Sequence, residues 1–290
     1  MLKISRLVLN GDHLLYFIGL GISEKGLSIE ALEILRRVDT VFLELYTSII
    51  PDFKLDWLEN MLGRKIRVVD REDLEERGGE DILREAKVAD VALLTPGDPF
   101  IATTHIVLRI EAERRNIKTR IIHSSSIITA AFSSCGLQVY KMGRIVTITI
   151  PEPKVGYRPI TPYLVLKENL ERGLHTLFLL EIRAESGEFL TIPKALELLE
   201  DMDRRVGEES IVDDNTLVVG LARVGTPNEY IAAGSLSELK DIEFGPPPYS
   251  LIIPGVLHPI EEEALTTLFD CKLEVIEGWR ERVKSVLKNT

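Results

Sequence analysis

Short apolar runs rich in β-branched residues alternate, along the first half of the chain, with stretches of helical period. The run LLYFIGL at 14–20 predicts a strand, and SIEALEILRRV at 28–38 predicts an amphipathic helix with Ser28 as its N-cap. The pattern continues with strands at 40–46, 65–69, 90–95 and 119–123 and helices at 55–62, 81–89, 103–116 and 127–135. Such alternation predicts a parallel sheet covered on both faces.

The pattern changes from about Met142. A strand at 144–150 runs into a Pro-rich, irregular segment ending near 162, which is the best candidate for an interdomain linker. Strands follow at 175–182, 216–224, 229–235 and 249–255, with helices at 162–173, 193–205 and 260–270. Because several of these strands have no helix between them, we expect a mixed sheet. The sequence therefore predicts two α/β domains, 1–143 and 144–290, with a cleft between them.

Composition narrows the possible functions. Lys and Arg total 35 against 46 Asp and Glu, which gives a net charge of -11. Such a charge disfavours a large surface that binds the phosphate backbone of a nucleic acid, so a nucleic-acid partner is not expected. Cys135 and Cys271 have no second Cys or His at ligand spacing, so we expect neither a disulfide framework nor a metal site. The sequence shows neither a signal peptide nor a long uncharged apolar segment, which favours a soluble cytoplasmic protein without membrane contact.

The segment GLG at 19–21 follows a predicted strand and precedes a helix, as a dinucleotide-binding loop does. Glu24 stands where the third glycine of that loop would be, although Glu44 is suitably placed to bind a ribose. A tight turn explains these two isolated glycines equally well. Binding of a ligand without phosphate is the remaining alternative.

The segment TPGDPF at 95–100 follows a predicted buried strand. Two prolines fix the backbone, Gly97 permits a conformation that other residues avoid, and Asp98 is expected to project from the carboxyl end of the strand. Ligands bind at that edge in open α/β sheets. The alternative is an ordinary Pro-Gly turn. Just beyond it, His105 in the first turn of a helix is typical of a packing or capping residue.

A third segment, HSSSIITA at 123–130, places three hydroxyl groups between a strand and a helix. Taken alone, it is typical of a serine-rich N-cap. Loops that follow neighbouring parallel strands lie side by side, however, so we expect Ile22, Asp98 and Ser126 to line one pocket.

Six segments carry a resemblance to a known family: YFIGLGI, TPGDPFIATTH, IIHSSSIITA, ERGLHTLFLLEIRAE, LVVGLARVG and PGVLHPIE. In their order and spacing, the chain from Tyr16 onward resembles the diphthine synthase family, which belongs to the tetrapyrrole-methylase-like S-adenosylmethionine-dependent methyltransferases. GDP is shared by the wider superfamily, whereas GDPFIATTH and PGVLHPIE are more specific. HSSSI departs from the expected HNASI, and the first dozen residues extend beyond the usual start of the family.

The resemblance implies that S-adenosylmethionine binds in the cleft between the domains, without a metal. Carried onto this chain, the cofactor contacts fall on Ile22, Asp98, Ile101, Ser126, Ile127, Leu180, Ala233 and His258. The cofactor has a sulfonium, a ribose, an adenine and an amino-acid end but no phosphate. Carboxylate, hydroxyl and backbone groups therefore suit it better than a glycine cradle with a lysine.

The implied reaction is methyl transfer to the amino group of a modified histidine of translation elongation factor 2, giving diphthine, by a homodimeric enzyme. His105, Glu185 and solvent are candidates to accept the proton of the amine, and no catalytic residue is assigned. Two alternatives remain open: a tetrapyrrole (precorrin) methyltransferase and a non-catalytic sensor of an adenosyl ligand. Net acidity weighs modestly against the many carboxylates of a precorrin.

Overall fold

The structure, a computed structural model, describes residues 13–152, 154, 156–184, 186–206 and 210–288. The expected N-terminal extension and Glu185 lie outside these residues. The chain divides into two compact units, one ending at Ser126 and the other starting at Ile127. The division falls at 126 rather than at the expected 143 because the segment after Ser126 packs within the second unit. There the Phe132 ring lies 6.2 Å from the ring of His175, measured between centroids.

The first unit is a parallel sheet with helical crossovers. Its elements are β1 (Leu14–Gly19), α1 (Ile29–Arg37), β2 (Thr40–Glu44), α2 (Leu55–Leu62), β3 (Arg67–Val69), a π-helical turn (Glu72–Glu76), α3 (Glu80–Ala86), β4 (Val91–Thr95), α4 (Ile106–Arg114) and β5 (Lys118–Ile122). The strands lie in the order β3-β2-β4-β1-β5, and every pair is parallel. The predicted parallel α/β architecture is confirmed.

Strand β1 shows why both faces of this sheet are covered. Tyr16 and Ile18 belong to a core that includes residues of α1 and α2, whereas Leu15 and Phe17 belong to a core with residues of α3 and α4. Successive side chains of a strand point to opposite faces, so a continuous apolar run supplies both cores. The sheet order also makes β4, β1 and β5 neighbours, which brings the carboxyl ends of three strands to one edge.

The second unit contains a mixed sheet, as predicted. Its elements are α5 (Ile127–Cys135), a short 3₁₀ turn (Val139–Lys141), β6 (Val146–Ile148), α6 (Thr161–Leu170), β7 (Thr176–Leu180), β8 (Ile182–Arg183), β9 (Glu188–Phe189), α7 (Ile192–Val206), β10 (Leu217–Ala222), β11 (Tyr230–Ser235), α8 (Leu236–Lys240), β12 (Tyr249–Ile253), α9 (Pro259–Phe269) and α10 (Leu273–Lys288). The main sheet has the order β11-β10-β12-β7-β6. Strands β6 and β7 pair in parallel, and the other neighbours pair antiparallel.

Helix α10 is the longest element that the sequence pattern left unassigned. Its apolar residues Ile276, Trp279 and Val283 recur at helical spacing and are buried, so the signal was present. The indole Nε1 of Trp279 donates a hydrogen bond of 2.9 Å to the carbonyl oxygen of Pro254, just after β12. Within the described residues, no helix combines the length and apolar character needed to cross a lipid bilayer.

Candidate functional site

Three loops meet at the carboxyl edge of the first sheet. They comprise residues 19–26 after β1, 95–101 after β4 and 123–126 after β5, and together they are called the loop cluster below. Gly21 and Gly97 exchange two backbone hydrogen bonds, of 3.1 and 2.9 Å between nitrogen and oxygen. The Ile22 amide donates to the Ser125 hydroxyl oxygen at 3.3 Å. The expected side-by-side arrangement of the three loops is therefore present within the first unit.

Gly21 shows what the GLG segment contributes. Its φ is +78°, and a β-carbon there would lie 2.8 Å from the Ser125 hydroxyl oxygen and 3.0 Å from the backbone of Gly26. Such a backbone conformation and such close contacts favour glycine over every other residue. The tight-turn interpretation of GLG thus accounts for its geometry, and no phosphate loop is needed to explain it.

Asp98 is the central polar group of the loop cluster. Its carboxylate Oδ2 accepts hydrogen bonds from His123 Nδ1 at 2.7 Å and from the Ser124 amide at 3.3 Å. Its Oδ1 accepts from the Phe100 amide at 3.3 Å. The residue is only 6% exposed, so it is turned inward and does not project as the loop sequence suggested. Asp98 connects the loop after β4 to the loop after β5.

The other predicted contacts near this edge differ in exposure. Ile22 is half-buried, Ile101 is exposed and Ser126 is buried. The Ile101 amide donates to the Asp98 carbonyl oxygen at 3.3 Å, which closes the turn between them. Ile127, half-buried, is the first residue of α5 and belongs to the second unit. The structure thus brings Ile22, Asp98, Ile101 and Ser126 to one edge of the first sheet.

In the second unit the other predicted contacts fall on three different elements. Leu180 is buried at the end of β7, and Ala233 is half-buried in β11. His258 is the exposed N-cap of α9, and its amide donates to Glu261 at 2.7 Å. Glu261 also contacts His175, which precedes β7. His258 is therefore linked through Glu261 to the residue before β7, whereas Leu180 is the last residue of that strand.

A buried polar group lies beside the loop cluster. Glu44, at the end of β2, is fully buried, and burial raises its pKa against the lowering effect of hydrogen bonds from Thr47 and Tyr46. His105 Nε2 is 3.9 Å from Glu44 Oε1. Its Nδ1 lies 3.2 Å from the Pro99 carbonyl oxygen, in the loop after β4.

The burial of these two residues limits what they can do. His105 is 2% exposed, burial lowers its pKa, and its Nε2 has no hydrogen-bond partner among the described residues. Such an enclosed imidazole is poorly placed to exchange a proton with a bound substrate. Glu44 is equally enclosed, so its geometry does not suit the ribose-binding role considered from the sequence.

His123 is the residue that the sequence interpretation overlooked. Its side chain is 72% exposed, although its Nδ1 is fixed to the buried carboxylate of Asp98. The sequence signal was a histidine at the carboxyl end of a parallel strand, directly before the serines of 124–126. Among the described residues, no three His, Cys, Asp or Glu side chains form a group suited to holding a metal ion.

Comparisons with known proteins agree with this architecture. The family model of the tetrapyrrole (corrin/porphyrin) methylases matches residues 14–240. A diphthine synthase of Staphylothermus marinus is 43% identical over 87% of this chain and 92% of that protein, and one of Methanosphaera stadtmanae is 39% identical over 92% and 100%. A crystal structure of diphthine synthase superimposes with a TM-score of 0.81 at 34% identity, covering 91% of this chain and 99% of the other.

These matches show that the protein is a methyltransferase with the fold of the tetrapyrrole methylases. The chain belongs to the diphthine synthases within that family. The resemblance that the sequence motifs indicated is thereby confirmed.

Proposed function

We propose that the protein transfers methyl groups from S-adenosylmethionine to the amino group of the modified histidine of translation elongation factor 2, giving diphthine. The observation that carries this proposal is the convergence of the loops after β1, β4 and β5 on one sheet edge. In open α/β sheets, ligands bind outside the carboxyl ends of the strands. The relatives named diphthine synthase supply the identity of the reaction.

The chemistry of the loop cluster fits the proposed cofactor. It offers serine hydroxyls, backbone groups and apolar side chains, while the carboxylate of Asp98 sets the shape of two loops. A phosphate-free ligand that carries hydroxyls and a flat base needs this mixture of apolar and hydrogen-bonding groups. The proposed contacts are those that the resemblance gave: Ile22, Asp98, Ile101, Ser126, Ile127, Leu180, Ala233 and His258.

When bound, S-adenosylmethionine would supply an electrophilic methyl group to the amine nitrogen, with its sulfur as the leaving group. The protein has to position the two reactants and to remove a proton from the amine. Alignment of reactants alone contributes about 7–11 kcal/mol to catalysis in well-oriented systems. A firmly hydrogen-bonded loop cluster suits that task, because small displacements of aligned groups reduce the rate strongly.

A direct assay tests the proposal. The purified protein is incubated with labelled S-adenosylmethionine and elongation factor 2 that carries the unmethylated precursor, and the modified histidine is examined by mass spectrometry. We expect added methyl groups at that residue. Label on a precorrin alone would instead favour a tetrapyrrole methyltransferase. Cofactor binding by calorimetry with no transfer to either acceptor would favour a sensor.

The resemblance also supports a homodimer as the working assembly. Light scattering of the purified protein at several concentrations tests this part of the proposal separately from the activity. A mass of about twice 32.6 kDa is expected, and a monomer at every concentration would contradict it.

A further inference from the structure

His123 combines a fixed orientation with an open ring. It follows directly after β5, so it lies at the sheet edge where the loop cluster is found. Its side chain is 72% exposed, whereas the side chain of its partner Asp98 is 8% exposed. The distance from Nδ1 to Asp98 Oδ2 is 2.7 Å, which is a short hydrogen bond between two polar groups. One nitrogen is therefore held by the protein and the other faces outward.

The partner determines which nitrogen carries the proton. An ionised carboxylate can only accept a hydrogen bond, so Nδ1 of His123 donates and Nε2 of the neutral ring keeps a lone pair. Asp98 is itself fixed by the amides of Ser124 and Phe100. A carboxylate in this position orients an imidazole and stabilises the imidazolium formed when Nε2 takes up a proton. The arrangement is that of a general base.

The two buried histidines of the chain, unlike His123, have no ring nitrogen open to solvent. His105 is 2% exposed, and His175 is fully buried. His175 Nδ1 accepts a hydrogen bond from the Gly255 amide at 2.9 Å, so its Nε2 carries the proton and donates to Glu261 at 3.1 Å. Both rings are committed to contacts inside their own units.

The remaining two histidines are placed differently. His258 accepts a hydrogen bond from the Ile260 amide at its Nδ1, so its proton resides on Nε2 and that nitrogen has no lone pair to offer. His13 precedes β1 and lies at the amino edge of the same sheet as His123. Its Nδ1 is 3.8 Å from Asp90, which is too long for a hydrogen bond. Of the five histidines, only His123 lies at the loop cluster with its Nδ1 bonded to a carboxylate and its ring exposed.

We propose that His123, oriented by Asp98, is the general base that removes the proton from the substrate amine before methyl transfer. The inference rests on the proposed function. In this step an N–H bond of the ammonium breaks, its electron pair stays on the amine nitrogen, and the proton bonds to the lone pair of His123 Nε2. The exposed ring then returns the proton to water, so no further reactant is needed.

The variant His123→Gln tests the proposal because a glutamine amide can still donate to Asp98 but has no basic nitrogen. We expect cofactor affinity within about twofold of the wild-type value and single-turnover methyl transfer slower by about 10²–10⁴-fold, the usual contribution of a general base. In a second variant, His123→Ala, added imidazole should restore part of the lost rate. His13→Gln, at the other edge of the sheet, is the matched control and should transfer at the wild-type rate.

The outcomes separate the two proposals. If the wild-type protein transfers no methyl group to the elongation factor precursor, the proposed function fails and this inference fails with it. If the wild-type protein is active and His123→Gln transfers at an unchanged rate, the inference alone is overturned. It is also overturned if His123→Ala loses cofactor affinity in proportion to its rate and imidazole restores nothing, since that result describes a residue that only shapes the loop.

Discussion

Gly19 and Gly97 approach so closely that a β-carbon on Gly19 would lie 2.4 Å from the carbonyl oxygen of Gly97. The same β-carbon would lie 2.8 Å from Cβ of Ser124, in the third loop of the cluster. Both contacts are shorter than any side chain tolerates, and neither a backbone carbonyl nor a Cβ atom can rotate away. The last residue of β1 therefore determines how closely the loops after β4 and β5 approach.

The substitution Gly19→Ala should separate these loops. We expect the free energy of unfolding to fall by about 1–3 kcal/mol, the usual cost of inserting a methyl group into a close-packed site. Binding of S-adenosylmethionine should weaken as well, because four of the eight proposed contacts lie on the displaced loops. Urea unfolding and calorimetry measure the two effects.

Gly278→Ala is the control for that prediction. Gly278 is an exposed residue of α10, and a β-carbon there would meet nothing within 4 Å. This substitution should raise the free energy of unfolding by about 0.4–1 kcal/mol, because alanine loses less backbone freedom in a helix. If Gly19→Ala matches the wild-type protein in stability and affinity, the close approach of the loops has no consequence and the prediction is wrong.

Replacement of Asp98 by alanine should weaken cofactor binding through the loops that Asp98 connects. Without the carboxylate, His123 Nδ1 and the amides of Ser124 and Phe100 lose their acceptor. Unsatisfied groups of this kind cost about 1–3 kcal/mol, so the variant should fold with reduced stability. Thermal unfolding and calorimetry with S-adenosylmethionine measure the two effects together.

Asp90→Ala provides a matched comparison, because Asp90 accepts a hydrogen bond from the Leu14 amide at the amino edge of the same sheet. It should lose stability while retaining cofactor affinity. Equal affinity in both variants would remove Asp98 from the binding site.

The patterns that predicted the fold are local ones. Ser28 was expected to cap α1, and its hydroxyl oxygen accepts the Ala31 amide at 3.1 Å. The alternation of strands and helices predicted a parallel sheet, because two parallel strands need a crossover connection between them. The order of the strands, which makes β4, β1 and β5 neighbours, depends on long-range pairing. The sequence analysis expected the three loops to lie side by side, but no single segment of the sequence specifies which strands are neighbours.

The interior of the candidate site was less predictable. Asp98 occurs in a loop sequence that is typical of an exposed turn, yet its carboxylate is buried and accepts hydrogen bonds from the Phe100 amide and from Ser124 and His123, the last of which is 25 residues away. Glu44 was considered as a ribose-binding acid because it ends a strand, whereas the structure buries it and its carboxylate accepts the backbone amides of Tyr46 and Thr47. Contacts between distant segments decide these orientations, and a single sequence does not specify them.

Glu261 is a buried carboxylate that the fold keeps ionised. Burial would raise its pKa, but hydrogen bonds from His175, the His258 amide, Lys141 and the Gln138 amide lower the pKa from 4.5 to about 2. A depressed pKa contributes stability that is fully present above the ordinary value and is lost as the pH falls toward 2. By linkage this contribution is on the order of 3 kcal/mol at neutral pH.

We therefore expect Glu261→Gln to destabilise the protein by about 3–5 kcal/mol at pH 7, since it leaves Lys141 and His175 without a charged partner. The difference from the wild-type protein should shrink as the pH is lowered from 5 toward 3. Urea unfolding across this range measures it. Glu263→Gln, an exposed position of the same helix, should stay within about 0.5 kcal/mol of the wild-type protein. A difference that does not vary with pH would contradict the assigned pKa direction.

Glu44 should show the opposite behaviour, because burial raises its pKa. A raised pKa means that stability is greatest below the ordinary value of 4.5 and is lost as the pH rises through the folded-state pKa, when the enclosed carboxyl must ionise. Glutamine has no such cost. Its oxygen can accept the amides of Tyr46 and Thr47, and its NH₂ group would face the Thr47 hydroxyl, which can reverse its role.

The substitution Glu44→Gln is thus expected to raise the free energy of unfolding at pH 8 by about 0.5–2 kcal/mol, the usual gain from a single stabilising change. The advantage over the wild-type protein should diminish toward pH 5. Glu44→Ala separates charge from hydrogen bonding, because it removes the acceptor of two amides and should destabilise by about 1–3 kcal/mol at both pH values. If Glu44→Gln is destabilised at pH 8 as strongly as Glu44→Ala, the ionised carboxylate is favourable in the folded protein and the predicted sign is wrong.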